Sequence, residues 1–101
     1  MSLIEINYLA RRVMSETLNL GGELDKNDNP NNLRARNICN SINNDINKII
    51  KLGYSINESL DDIYINIEGN TKSLDEFLFQ VKMMNISLSR IGFNIFEIKY
   101  P

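Results

Sequence analysis

Over the first twenty positions apolar residues recur at helical spacing. Leu3, Ile6, Leu9, Ala10, Val13, Thr17 and Leu20 share one face, which predicts a helix from about 2 to 20. Ser2 and Glu5 have the spacing of a capping box in front of it, and Gly21-Gly22 mark its end. Residues 22 to 29 are polar and turn-rich and predict a flexible loop. Asn29-Pro30 then offers an N-cap with proline at the first helical position. Ala35, Ile38, Ile42, Ile46 and Ile49 define the apolar face of a second helix that stops at Gly53. Two long helices joined by a short loop are expected to pack antiparallel. Leu20-Gly21, Leu52-Gly53-Tyr54 and Ile91-Gly92-Phe93 all carry the apolar-glycine pattern of a left-handed residue closing a helix.

The period changes at Asp62. Ile63, Ile65 and Ile67 alternate with Tyr64, Asn66 and Glu68, the two-residue repeat of a strand with one buried face, ending at Gly69-Asn70. Ser73-Leu74-Asp75-Glu76 is a second capping box, with acids where the helix dipole favours them. Behind it Leu74, Phe77, Leu78, Val81, Met84, Leu88 and Ile91 carry helical spacing up to Gly92. A competing reading breaks this helix near Asn85 and makes 86–90 a strand. Phe93 to Tyr100 alternates again, with Phe96, Ile98 and Tyr100 on one face, and predicts the second strand. The expected architecture is α+β in the order α-α-β-α-β. An antiparallel helix pair precedes a βαβ unit whose two parallel strands are joined by a right-handed crossover. Two strands cannot stand alone, so the first two helices cover them or another chain completes the sheet by oligomerisation.

A length of 101 residues suits a single globular domain spanning 1–101, and 43% hydrophobic with 24% charged residues is ordinary for a folded chain. The net charge of -2 supplies no global basic field for nucleic acid. Cys39 is the only cysteine and histidine is absent, so there is no intrachain disulfide and no ordinary zinc site; a reducing, cytoplasmic setting is expected. Met1-Ser2-Leu3-Ile4-Glu5 has no basic region followed by an apolar run and no stretch approaches the length needed to span a bilayer, so neither export nor membrane insertion is expected. Sixteen asparagines and fifteen isoleucines against two alanines reflect AT-rich codons, which points to a low-GC source such as a phage or mobile element.

Candidate chemistry is sparse. Without histidine the Ser-His-Asp and Cys-His systems are excluded, and no phosphate-binding glycine loop is present, so no enzyme activity and no cofactor are expected. Asp61, Asp62 and Glu68 are the carboxylates left to a remote enzymatic reading, and Cys39 reads as a small buried hydrophobe. Phe79, Met83 and Ile86 form a second apolar stripe on the third helix, opposite its main face. Ile4, Tyr8, Arg11 and Arg12 lie off the main face of the first. Such stripes are buried inside the monomer or meet another subunit. Arg34, Arg36 and Asn37 near the start of the second helix are candidate anion or nucleic-acid contacts. Asn37, Asn40, Asn44 and Asn47 line that helix opposite its isoleucines, either as solvated positions or as an amide ladder.

The strand-helix-strand order ending in Phe96-Glu97-Ile98-Lys99-Tyr100 resembles the C-terminal half of ferredoxin-like domains such as the acylphosphatases. The first half has no matching strand and no glycine-rich loop with its arginine, so neither that fold nor that activity is carried over. The expectation is a non-enzymatic, homo-oligomeric protein that binds a protein partner, as an inhibitor, immunity or sequestering protein of a mobile element would. The alternative is a small nucleic-acid or nucleotide-binding module built on the arginines and Tyr8.

Overall fold

Two long helices open the chain in the computed structural model, which describes residues 2–57, 59–94 and 97. They are α1 (Ser2–Lys26) and α2 (Leu33–Ile56). A 3-10 turn (Leu60–Asp62), β1 (Tyr64–Ile67), β2 (Asn70–Ser73) and α3 (Leu74–Arg90) follow. The fold is α+β, in the order α-α-β-β-α.

The expected α-α-β-α-β order is corrected at residue 68. β1 turns straight into β2 and pairs with it antiparallel, Tyr64 opposite Ser73 and Ile67 opposite Asn70, so the element after β1 is a hairpin partner and not a crossover helix. Glu68 (φ 53) and Gly69 (φ 84) both take positive φ, the backbone of a tight two-residue hairpin turn, and Asn66 Oδ1 accepts from Gly69 N–H. Asn70-Thr71-Lys72-Ser73 shows no alternation, since only Ser73 is buried, which is why periodicity does not reveal β2. Of the predicted second strand, Phe93 and Asn94 are irregular and 95, 96 and 98–100 lie outside the described residues.

α1 and α2 are antiparallel, as expected: Arg12 meets Asp45 near the middle and Glu23 meets Asn32 near the loop. Their apolar faces close on each other through Ile6, Leu9, Val13, Ala35, Ile42, Ile46 and Ile49, all buried. Ile63, Ile65 and Ile67 add the inner face of β1. The sheet edge is not left open at Asn66, whose N–H donates to Asn7 Oδ1 on α1 (2.9 Å). α3 starts beside the C-terminal end of α2, where Leu74 approaches Gly53, and ends beside Pro30 near the start of α2. It therefore runs antiparallel to α2 and adds Leu74, Phe77, Leu78, Val81 and Leu88 to the core.

Only one of the three glycine stops closes a helix. Gly92 (φ +96) does: Phe93 N–H donates to Leu88 O and Gly92 N–H to Ser89 O, the paired bonds of a Schellman motif, and Phe93 is buried. α1 instead continues through Gly21 and Gly22 to Lys26, and α2 through Gly53 to Ile56. Gly53 is needed for space, since a Cβ there would lie 2.7 Å from Leu60 Cδ2 and 2.9 Å from Leu74 Cδ2.

α2 likewise starts at Leu33 and not at Pro30. Its N-cap is Asn32, whose Oδ1 accepts from Ala35 N–H and whose Nδ2 donates to Asn27 O. Pro30 packs on Gly92. The expected flexible loop shrinks to 27–32 and is braced by Asn27 and Asn29, which accept from the backbone N–H two residues on. α3 begins as predicted, with Ser73 Oγ accepting from Glu76 N–H, and residues 86–90 are helical.

Candidate functional site

Two features stand out at the surface: the outer face of α3 and a polar knot between α1 and α2. On α3 the buried set Leu74, Phe77, Leu78, Val81 and Leu88 claims one side. Opposite it lie Phe79 (61% exposed), Met83 (49%) and Ile86 (47%). They sit between Glu76 and Arg90, both exposed. The positions 76, 79, 83, 86 and 90 alternate steps of three and four, so they fall on one stripe of the helix within an arc of roughly 80°. The monomer does not bury this stripe. Burying a fully exposed side chain of this size contributes roughly 1.5 to 3 kcal/mol, so covering the half that each of these three still exposes contributes about half of that apiece.

Ile4 and Tyr8 are also exposed, at 67% and 54%, but on α1. Tyr8 lies 5.7 Å under the Arg12 guanidinium, and Arg12 reaches across to Asp45 on α2. Its Nε donates to Asp45 Oδ2 (2.8 Å) and its Nη2 to Asp45 Oδ1, a bidentate pair in which the Asp45 side chain is 4% exposed and the Arg12 side chain 43%. Glu16, one turn along α1, is mostly buried, and its Oε1 lies 4.0 Å from Arg12 Nε without a hydrogen bond.

These environments pull the two acids apart. Burial pushes the Glu16 pKa up, helped by the neighbouring Asp45. Burial opposes the charged form of Asp45 too, but hydrogen bonds with Arg12 and Glu16 and the Arg12 charge outweigh it and hold its pKa below the ordinary carboxylate value. Arg12 is raised, chiefly by its bond to Asp45, and stays charged.

The cluster predicted at the start of α2 does not assemble as one. Arg34 and Asn37 line an open groove with Lys26 and Glu23 of α1, whereas Arg36 is turned back to donate to Pro30 O (3.2 Å). Arg11 lines a different depression, with Met14 and Glu68. The arginines are thus dispersed, and Arg12 and Arg36 are engaged within the chain. Asp61 and Asp62 are exposed on the 3-10 turn, and Glu68 is a hairpin-turn residue. Among the described residues no group of three or more potential metal ligands comes together, and no helix is long and apolar enough to cross a membrane.

Sequence reasoning missed Asp45 and Glu16, although Asp45 is an acid inside the apolar repeat of α2, next to Ile46 and three positions after Ile42. It also missed Asn43. Asn43 Oδ1 accepts from Glu97 N–H and Asn47 Nδ2 donates to Glu97 O, both at 2.8 Å, so two amides of α2 grip one residue of the C-terminal segment. Asn37, Asn40 and Asn44 are exposed. Cys39 is a buried free thiol whose pKa burial pushes up, as a small hydrophobe should be. Compared with protein-family models, curated proteins and solved structures, the chain finds no significant match to any of them.

Proposed function

We propose that this chain is a non-enzymatic binding protein that acts through protein-protein contacts, with the outer face of α3 as its working surface. One observation carries the reading: Phe79, Met83 and Ile86 form an uncovered apolar stripe on a helix whose other side is already committed to the core. Inhibition, immunity and sequestration all use such a face. A cytoplasmic setting belongs to the same proposal and is supported by Cys39 standing as a buried free thiol. The nucleic-acid alternative has less behind it, because Arg12 and Arg36 are spent on Asp45 and Pro30.

The test is a photo-crosslinking amino acid in place of Phe79, expressed in the native host, with the same label at exposed Glu5 as control. Protein adducts are expected at position 79 in excess of those at position 5. Absence of any adduct specific to 79, whether to another protein or to a second copy, overturns the reading.

A further inference from the structure

The charges that flank the α3 stripe point to one occupant. Glu76 stands seven residues before Met83 and Arg90 seven residues after it, on the same stripe, and Phe79 and Ile86 stand nearly symmetrically inside them. Among the described residues neither the Glu76 carboxylate nor the Arg90 guanidinium has a hydrogen-bond or ion-pair partner, and both are exposed.

We infer that the chain forms a two-fold symmetric dimer in which α3 packs antiparallel on the partner's α3, with Met83 at the axis and Glu76 of each copy facing the partner's Arg90. This deepens the reading above and rests on it. An isologous contact must be complementary to itself. A stripe with an acid at one end, a base at the other and apolar residues between meets that condition only when the helices run in opposite directions. Run parallel, Glu76 would face Glu76 and Arg90 would face Arg90. Run antiparallel, the dyad at Met83 brings Phe79 of one helix level with the partner's Ile86 to within about one residue rise.

The alternating three- and four-residue spacing is the seam of a left-handed helix pair, so side chains at these positions interlock. Opposed helix dipoles favour the same direction, since the positive N-terminal end of each α3 comes beside the negative C-terminal end of the other. The seam is one helix wide, smaller than a standard protein interface, so the dimer is expected to be reversible, with a dissociation constant of roughly micromolar order.

Sedimentation of the full chain across a concentration series should show the mass rising from 11.6 kDa toward twice that value. Glu76→Arg or Arg90→Glu alone sets two like-charge pairs in the dimer and should weaken association about tenfold, while the double swap restores it. A parallel pair would gain nothing from the swap.

Geometry is tested independently by cysteine placement. Met83→Cys meets itself at the axis and should oxidise rapidly to a covalent dimer. Glu76→Cys lies about 21 Å along the helix from its own copy and should not. Cys39 is fully buried and stays out of the reaction. A mass of 11.6 kDa up to the solubility limit, no disulfide through residue 83, or equal cross-linking through residue 76 overturns the inference. A monomer whose Phe79 position still captures a different protein refutes the dimer and leaves the protein-contact reading intact. A monomer that captures nothing refutes both.

Discussion

Asp45 and Glu16 share one polar knot in an otherwise apolar helix seam, and their opposite displacements determine how stability should follow pH. Asp45 is held low, so its contribution is full above the unfolded carboxylate range and is lost as pH falls through its folded value. Glu16 is held high, so its favourable state is the protonated one, present below the unfolded range and lost as pH rises through its folded value. Urea unfolding of Glu16→Gln should therefore show higher stability than wild type at neutral pH, with the difference closing in acid; a variant no more stable at neutral pH would mean that burial does not penalise Glu16.

Asp45→Asn removes half of the pair but leaves Arg12 with 43% of its side chain in water, so the loss is smaller than for a fully buried pair, about 1 to 2 kcal/mol. It should also flatten the acid limb of the stability profile. Glu68 is a different kind of residue-scale defect, a non-glycine at φ 53 in a hairpin turn. Glu68→Asn should raise the unfolding free energy by about 0.5 to 1 kcal/mol, because asparagine tolerates the left-handed region better. An unchanged denaturation midpoint would show that the turn stores no such strain.

Among the elements, α1 and α2 contain glycines that look alike in sequence and differ in what they touch. Gly21 and Gly22 sit inside α1 with nothing within 4 Å of a built Cβ, so alanine at either should add about 0.5 to 1 kcal/mol through helix propensity alone. Gly53 lies under Leu60 and Leu74, both buried, and Gly53→Ala should cost about 1 kcal/mol or more after its propensity gain. Thermal unfolding of the three variants separates the two roles; a stabilised Gly53→Ala would mean that the leucines move aside freely. Ser73 and Gly92 show the opposite case, in which local chemistry and tertiary structure agree. The hydroxyl caps α3 and the left-handed glycine closes it, because both needs arise within a few residues of backbone.

At the scale of the whole molecule, α3 has two unlike sides: its inner side completes the core over α1, α2 and the hairpin, and its outer side leaves Phe79, Met83 and Ile86 exposed, the face on which the proposed dimer rests. The asparagine content that reads as codon bias does specific work in this assembly. Asn7 satisfies the β1 edge, Asn32 caps α2, and Asn43 with Asn47 hold Glu97. Sequence alone determined three helices, the phase of each apolar face, the β1 alternation, both ends of α3 and the second stripe on it, because periodicity, capping boxes and the Schellman glycine are local properties. Tertiary structure decided the rest. It made β2 a hairpin partner, since a polar four-residue strand carries no period of its own and is set by the strand beside it. It carried α1 and α2 through their glycines, where packing along the helix pair outweighs a local stop signal. It joined Arg12 to Asp45 across 33 residues, a pairing that exists only once two helix faces have met.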